Sequence, residues 1–311
     1  MSNMLSRGAR YLVVGACACA MGVGLSGCAL STPSLSEVEH SRPAQAVDDS
    51  SLVNAGVLTV ALDATDAPQA LTQADGSLGG YYVDYARALA AHMGLDVAFV
   101  STASPRSVAE GRADVFMGMQ AGGESEDISS ASVASQDASA LFSSAPDEAS
   151  SFDVSSLEGS SVAVQAGSAS EDALARLDVG AQAKKCANVN ECFDALRSGE
   201  VEYVMCDATS GGYLARAYSD VHFVGAIDEP RVFSIAVASK EAGLKRAVSS
   251  AAQAMSSDGT LDALYGFWYG DAPLLLTDHI LEGIEPVHEQ SAAEDGEQAQ
   301  AALDHDLNTL G

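Results

Sequence analysis

Positive charge is scarce in this chain. Among 311 residues, 15 lysines and arginines stand against 43 aspartates and glutamates, and none of the 15 follows Arg246. The formal net charge of -28 repels phosphate backbones and anionic headgroups, which argues against nucleic-acid binding and leaves solubility as the main effect of the charge. Long apolar runs are lacking too: the stretch from Tyr11 to Leu25 falls short of the roughly 20 residues that a transmembrane helix needs. Cysteines number six, and Cys186, Cys192 and Cys206 have no histidine close by in sequence, a poor set for zinc. His222, His279, His288 and His305 show no metal-ligand spacing, and neither a phosphate loop nor a nucleophile elbow is present. No metal, cofactor or catalytic residue is expected.

What is there begins at the amino end. Arg7 and Arg10 precede the apolar stretch, the charge-then-apolar order of a secretory signal. The segment closes on Leu25-Ser-Gly-Cys28, which resembles a bacterial lipobox. That resemblance makes residues 1–27 a lipoprotein signal peptide and Cys28 the lipidation site, diacylated with palmitate-like chains and first in the mature protein. Two acyl chains hold stably, since each buried methylene contributes roughly 0.8 kcal/mol. The rest of the chain would then be extracytoplasmic and lipid-anchored to the cell membrane. Residues 28–51 are Ser, Pro, Glu, Asp and Ala without apolar periodicity, as in a flexible linker. Cys17 and Cys19 leave with the signal. Cys186 and Cys192, with five residues between them, could close a small disulfide loop in an oxidising compartment, whereas Cys206 lies in an apolar run and reads as a buried thiol.

From Leu52 to about Gly270 the chain is long for one compact lobe, and two are expected. Leu58-Thr-Val-Ala-Leu62 reads as a buried strand and Gln73–Ser77 as a turn. Tyr82, Ala86, Leu89, Ala90 and Met93 recur at helical spacing, with Asp84 in the first turn and His92 and Gly94 at the far end. Strands follow at 97–100 and 114–118, around a short helix near Ser107. This alternation implies a parallel sheet. From Gly122 to Ser151 serine, alanine and acids dominate, and only Ala140-Leu-Phe142 reads as a strand. A second series then runs through strands at 161–165, 202–206, 222–224 and 234–238. Its helices are expected at 170–177, up to 198–199, at 241–255 and at 261–267. Tyr265, Phe267, Trp268 and Tyr269 read as a packing cluster. Past Gly270 the acidic tail, 271–311, is expected to be mostly disordered, with one apolar patch at Leu274–Leu276, Ile280 and Leu281.

The order of segments resembles the bacterial extracytoplasmic solute-binding proteins, family 3, that serve polar-amino-acid ABC importers. The tokens are Leu58-Thr-Val-Ala-Leu-Asp63, Asp75-Gly-Ser-Leu-Gly-Gly-Tyr-Tyr-Val-Asp84, Gly111-Arg-Ala-Asp114, the run from Ser156 to Gly167, the run from Ala195 to Asp207 and the run from Ser257 to Gly270. The resemblance implies an α/β fold: a two-lobed, periplasmic-binding-protein-like clamshell of type II, with parallel-rich sheets joined by two crossover strands. Carried onto this chain, lobe 1 is 52–140 with a return at 236–270, and lobe 2 is 145–232. The implied partners are a small-molecule solute and an ABC permease in the membrane, and a monomer is expected.

For lobe 1 the resemblance places Asp63, Asp66, Gly118, Met119 and Gln120 along the cleft. In lobe 2 the strand ending at Gln165 leads through Ser168, Ala169 and Ser170 into a helix whose amide end would accept an anion. Asp207, at a strand's carboxyl end, faces the same crevice and by resemblance receives a substrate ammonium. The sequence also departs from the family. Where relatives carry an arginine that grips the substrate carboxylate, this chain has Ser125, and no basic residue lies between Arg112 and Arg176. Arg106 or Arg231 could replace it, although surface roles suit both. A cationic or neutral solute, amino acid or amine-like, therefore fits better than an anionic one. Two other readings stay open: a degenerate clamshell serving as a surface sensory or interaction module, and a dehydratase-like enzyme on the same fold.

Overall fold

The computed structural model describes residues 43–144, 152–218 and 220–284. Residues 1–42, with the expected signal peptide and the expected lipidation site Cys28, lie outside them, as does 285–311 of the tail. The apolar run β1 (Val57–Leu62) is buried from its second residue onward. A two-strand ribbon, β2 (Leu71–Thr72) and β3 (Leu78–Gly79), leads into α1 (Tyr81–His92), followed by β4 (Asp96–Ser101), the short α2 (Arg106–Ala109) and β5 (Val115–Gln120). The long β6 (Ile128–Asp137) comes next and then β7 (Ser139–Ser143).

The second series consists of β8 (Ser161–Gln165), α3 (Ala169–Leu177), β9 (Gln182–Cys186), α4 (Val189–Arg197), β10 (Tyr203–Asp207), α5 (Ala208–Ala215) and β11 (His222–Ala226). It closes with β12 (Arg231–Ala238), α6 (Ala242–Ser257) and α7 (Thr260–Tyr269). Two five-stranded sheets result, in the orders β4-β1-β5-β12-β6 and β11-β7-β10-β8-β9. Within the first, β1 runs parallel to β4 and β5, and β12 is antiparallel to β5 and β6. Within the second, β8 runs parallel to β9 and β10, while β7 is antiparallel to β10 and β11. The fold is α/β and two-lobed, with parallel-rich mixed sheets.

The chain passes between lobes at two neighbouring places, Asp137–Ser139 and Ala226–Arg231. These crossovers are stitched together: Ser139 N–H donates to Asp228 Oδ1 (2.8 Å) and Ile227 N–H to Ser139 O (2.9 Å). The changes of sheet fall at Ala138 and between Ala226 and Arg231, so β7 already belongs to lobe 2 and the start of β12 already belongs to lobe 1.

Three segments differ from the sequence expectation. Residues 128–137 form a ten-residue edge strand in a stretch that is too rich in serine to look like one. The backbone ladder to β12, which spans Arg231↔Asp137 to Ala238↔Ile128, holds it. Residues 43–51 are not a free spacer: Ala46 N–H donates to Met93 O (2.9 Å), and Val47 packs on the core. Residues 271–284 do not trail away either. Leu276 N–H donates to Gln136 Oε1 (2.8 Å), Leu281 N–H to Ala226 O (2.9 Å), and Val154 N–H to Glu282 O (3.0 Å). Leu276 and Leu281 are buried, so this strap fastens the end of lobe 1 onto lobe 2.

The core of lobe 1 is unusually rich in tyrosine. Tyr81 meets Tyr85 edge-on (5.9 Å between ring centroids), Tyr265 edge-on (5.7 Å) and Tyr269 at a tilt (5.2 Å). Tyr265 and Tyr269 thus fulfil the expected packing role. Phe267 instead lies exposed beneath Arg216 (5.0 Å). Trp268 donates its indole N–H to Asp84 (3.0 Å) and stacks on Tyr213 of lobe 2 (6.0 Å).

Candidate functional site

Strands of both lobes direct their carboxyl ends to the crossovers, which is where open α/β sheets bind ligands. From lobe 1 the loop after β1 brings Asp63 and Asp66. Pro68 and Gln69 carbonyls accept from the Tyr81 and Tyr82 amides and so hold this loop on the first turn of α1. Asp63 is fixed by its own turn, its Oδ1 accepting from Thr65 N–H (2.9 Å) and Oγ1–H (2.7 Å), which lowers its pKa below the usual carboxylate range. Asp66 has no such help. It is exposed at the groove, yet enough protein surrounds its carboxylate to displace water and raise its pKa, and the charges of Asp63 and Asp207 raise it further.

Asp207 ends β10 in lobe 2, so the carboxylate whose charge reaches Asp66 comes from the other lobe. Its partner is Arg231, at the first position of β12, whose Nη2 lies 3.0 Å from Asp207 Oδ1. The same nitrogen is 3.9 Å from Asp137 Oδ2. Asp137 is half-buried where β6 ends and accepts from Thr209 N–H (3.1 Å), Thr209 Oγ1–H (3.1 Å) and Ala138 N–H (3.0 Å). Burial above all, and then Asp207, push Asp137 up to about 7 against the opposing pull of Thr209 and Arg231. Beside this cluster Tyr82 shares a hydrogen bond with Ser135 (2.7 Å) and lies against Gly118, where a Cβ would stand 2.8 Å from the ring. Gly118 has φ +92°, so glycine is required there both for conformation and for Tyr82.

The remaining expected residues are placed as follows. Met119 turns away from the groove into a core of Ala61, Val108, Phe116 and Ile128, because it alternates with Gly118 along β5. Gln120 is exposed at the strand end and Gln165 half-buried at the end of β8. Ser168 caps α3, its Oγ accepting from Glu171 N–H (3.1 Å). Glu171 reaches back to Gly167 N–H (2.6 Å) and pairs with Lys185 (2.5 Å). The helix tip expected to bind an anion therefore already holds one of the chain's own carboxylates. Ala169 is exposed, and Ser170 is buried with its Oγ 3.4 Å from Ser139 Oγ. Ser125 sits in the exposed turn before β6, bonded backbone to backbone with Ile128.

One site residue was not recognised from the sequence, and another was weighed there as a substitute for the missing arginine but given a surface role in preference. Asp137 is hidden in a serine-rich stretch. Arg231 reads as a surface residue, but the structure turns it into the cleft. Its signal is position: it follows Pro230 and opens a strand that leaves the crossover.

Cys186, Cys192 and Cys206 are buried free thiols, not the disulfide that the spacing allows. Burial, then contact with Cys186, push Cys192 up to about 12. Among the described residues no group of three or more metal-ligating side chains comes together, and no helix is long and apolar enough to cross a membrane.

Two α/β lobes with ligand-facing strand ends at a double crossover define a two-lobed solute-binding protein. Residues 58–271, more than half of the chain, match the family model of bacterial extracellular solute-binding proteins, family 3. The chain belongs to that family, whose members are extracytoplasmic and mostly non-enzymatic. Among solved structures it is similar to an ancestral cationic amino acid solute binding protein: 25% identity, TM-score 0.55, covering 69% of this chain and 96% of that one. The L-cystine solute receptor of Neisseria gonorrhoeae, in its unliganded open conformation, is 20% identical with TM-score 0.59, covering 71% and 95%. A polar amino acid ABC uptake transporter substrate binding protein from Streptococcus thermophilus is 17% identical with TM-score 0.61, covering 75% and 94%. The last two likenesses show the fold alone. No curated protein matches the chain.

Proposed function

We propose that this chain is the solute-capturing lipoprotein of an ABC importer. Lipid on Cys28 would tether it outside the cytoplasmic membrane, and it would pass a small polar solute to a membrane permease without transforming it. The solute is an amino acid or an amine-like molecule, cationic or neutral in preference to anionic. One observation carries this reading: the loop after β1 brings Asp63 and Asp66, and the end of β10 brings Asp207, so that carboxylates come from both lobes, and the charge of Asp207 adds to what raises the Asp66 pKa. An anionic solute would meet that field as repulsion, and a cation bridging the two carboxylates would draw the lobes together. The similarity to an ancestral binder of cationic amino acids points the same way.

A thermal-shift screen with arginine, lysine, glutamine, diamines and glutamate tests it. A binder at 100 times its dissociation constant stabilises by roughly 2.7 kcal/mol. Basic or neutral compounds are expected to shift the midpoint, and Asp207→Ala to abolish the shift. A shift with glutamate alone would overturn the charge preference.

A further inference from the structure

Arg231 gives the groove a second polarity. Its backbone is fixed: Pro230 precedes it, and β12 sets it opposite Asp137 in the ladder. Its side chain is 34% exposed and reaches Asp207, itself 45% exposed, at 3.0 Å. Asp137 is a poor alternative partner, being 3.9 Å away, 14% exposed and already an acceptor for Ala138 and Thr209. A guanidinium offers five donors and stays charged at any working pH, so most of its capacity remains open toward the groove. Lys185, a cation near the end of β9, is taken up by Glu171. No arginine occurs between Arg112 and Arg176, the stretch that follows β5 in lobe 1.

Resting on the solute-binding reading above, we propose that Arg231 is the specificity-determining residue of the cleft. It is an internal counter-ion for Asp207 that the solute replaces group for group. The solute's cationic head takes Arg231's place on Asp207, and its carboxylate takes Asp207's place on Arg231. A solute with both charges on neighbouring atoms leaves every charge paired. An amine without a carboxylate strands Arg231 beside an Asp137 whose acceptors are in use, and a carboxylate without an amine strands Asp207 beside Asp66. The acidic groove thus attracts polyamines by its net field but holds them less tightly than the matching amino acids.

Titration calorimetry on the full chain compares matched pairs: L-arginine with agmatine, L-lysine with cadaverine, and L-glutamine with 4-aminobutanamide. One charge-assisted contact corresponds to roughly 10- to 100-fold in dissociation constant, and loss of the carboxylate is expected to weaken binding by that factor. In Arg231→Gln the ratio within a pair should collapse to within about threefold, through weaker binding of the amino acid. Arg231→Lys keeps the charge but loses the planar fork, so it should retain part of the ratio, and it carries the test if the glutamine variant does not fold. Decarboxylated compounds binding as tightly as their parents, or a ratio unchanged in Arg231→Gln, would overturn the role of Arg231 and leave the solute-binding reading intact. Silence from all six compounds and from the wider screen would overturn both.

Discussion

Asp137 shows how a single carboxylate can carry the tension of the whole crossover. In an unfolded chain an aspartate titrates near 3.9, whereas here burial moves it to about 7. Between those values the folded state holds a proton that the unfolded state has lost. Stability from this group is therefore present below about pH 4, declines as pH rises and is gone above about pH 7. Asp137→Asn keeps an acceptor for the Thr209 amide. It should melt with the parent near pH 4 and at a higher temperature near pH 8, and equal midpoints at pH 8 would show that burial places no strain on this charge. Cys192 invites a second measurement. With its thiol raised to about 12 it holds almost no thiolate at neutral pH, the reactive form. Iodoacetamide should leave it unmodified in the native protein and label it in denaturant; rapid native labelling, read by mass spectrometry, would contradict this burial.

At the level of elements, α3 had the strongest functional promise in the sequence and has a plainer role in the fold. An amide-rich helix tip after a strand end can bind an anion, and nothing in the spacing Gly167-Ser168-Ala169-Ser170-Glu171 tells whether that anion is foreign or the chain's own. Glu171 lies one turn along the same helix, and it wins because it is tethered. Ser168→Ala is expected to cost about 1 kcal/mol, within the roughly 0.5 to 2 kcal/mol span of lost caps, while solute affinity stays within twofold. Denaturant titration and calorimetry together check this; a large fall in affinity without a fall in stability would return Ser168 to the site. The strand β6 makes the complementary point. Its serines and alanines carry little strand signal, yet its backbone pairs along its length with β12, a partner some hundred residues away in sequence.

For the whole molecule, the strap at 271–284 extends the packed structure beyond Gly270. It buries Leu276 and Leu281 and bridges Gln136 near the crossover, Ala226 and Val154. Burial of a leucine contributes about 1.5 to 3 kcal/mol. A chain ending at Gly270 should therefore unfold at lower denaturant than one ending at Ile284, by several kcal/mol at most, since area bookkeeping is an upper bound. Coincident unfolding curves would show that the strap adds nothing. Its course beside the crossover also bears on lobe motion, because any rotation of the lobes must carry Gln136 and Ala226 together with it.

The sequence by itself determined the alternation of strands and helices, the two-lobed class and the family. Each follows from local periodicity and ordered tokens, which need no partner to be read. Asp207 could be named because it stands at the end of a recognisable strand, and Asp63 and Asp66 because the family resemblance points to them. Tertiary structure alone decided which charges meet. Arg231 and Asp207 are 24 residues apart and Asp137 lies 70 before Asp207, and only the return of β12 through the crossover brings them within hydrogen-bond or ion-pair range. Ion pairs act over a few ångströms in space without regard to separation along the chain, so the sequence could announce the missing arginine after β5 and offer Arg231 as a substitute, but not say which carboxylates it would meet.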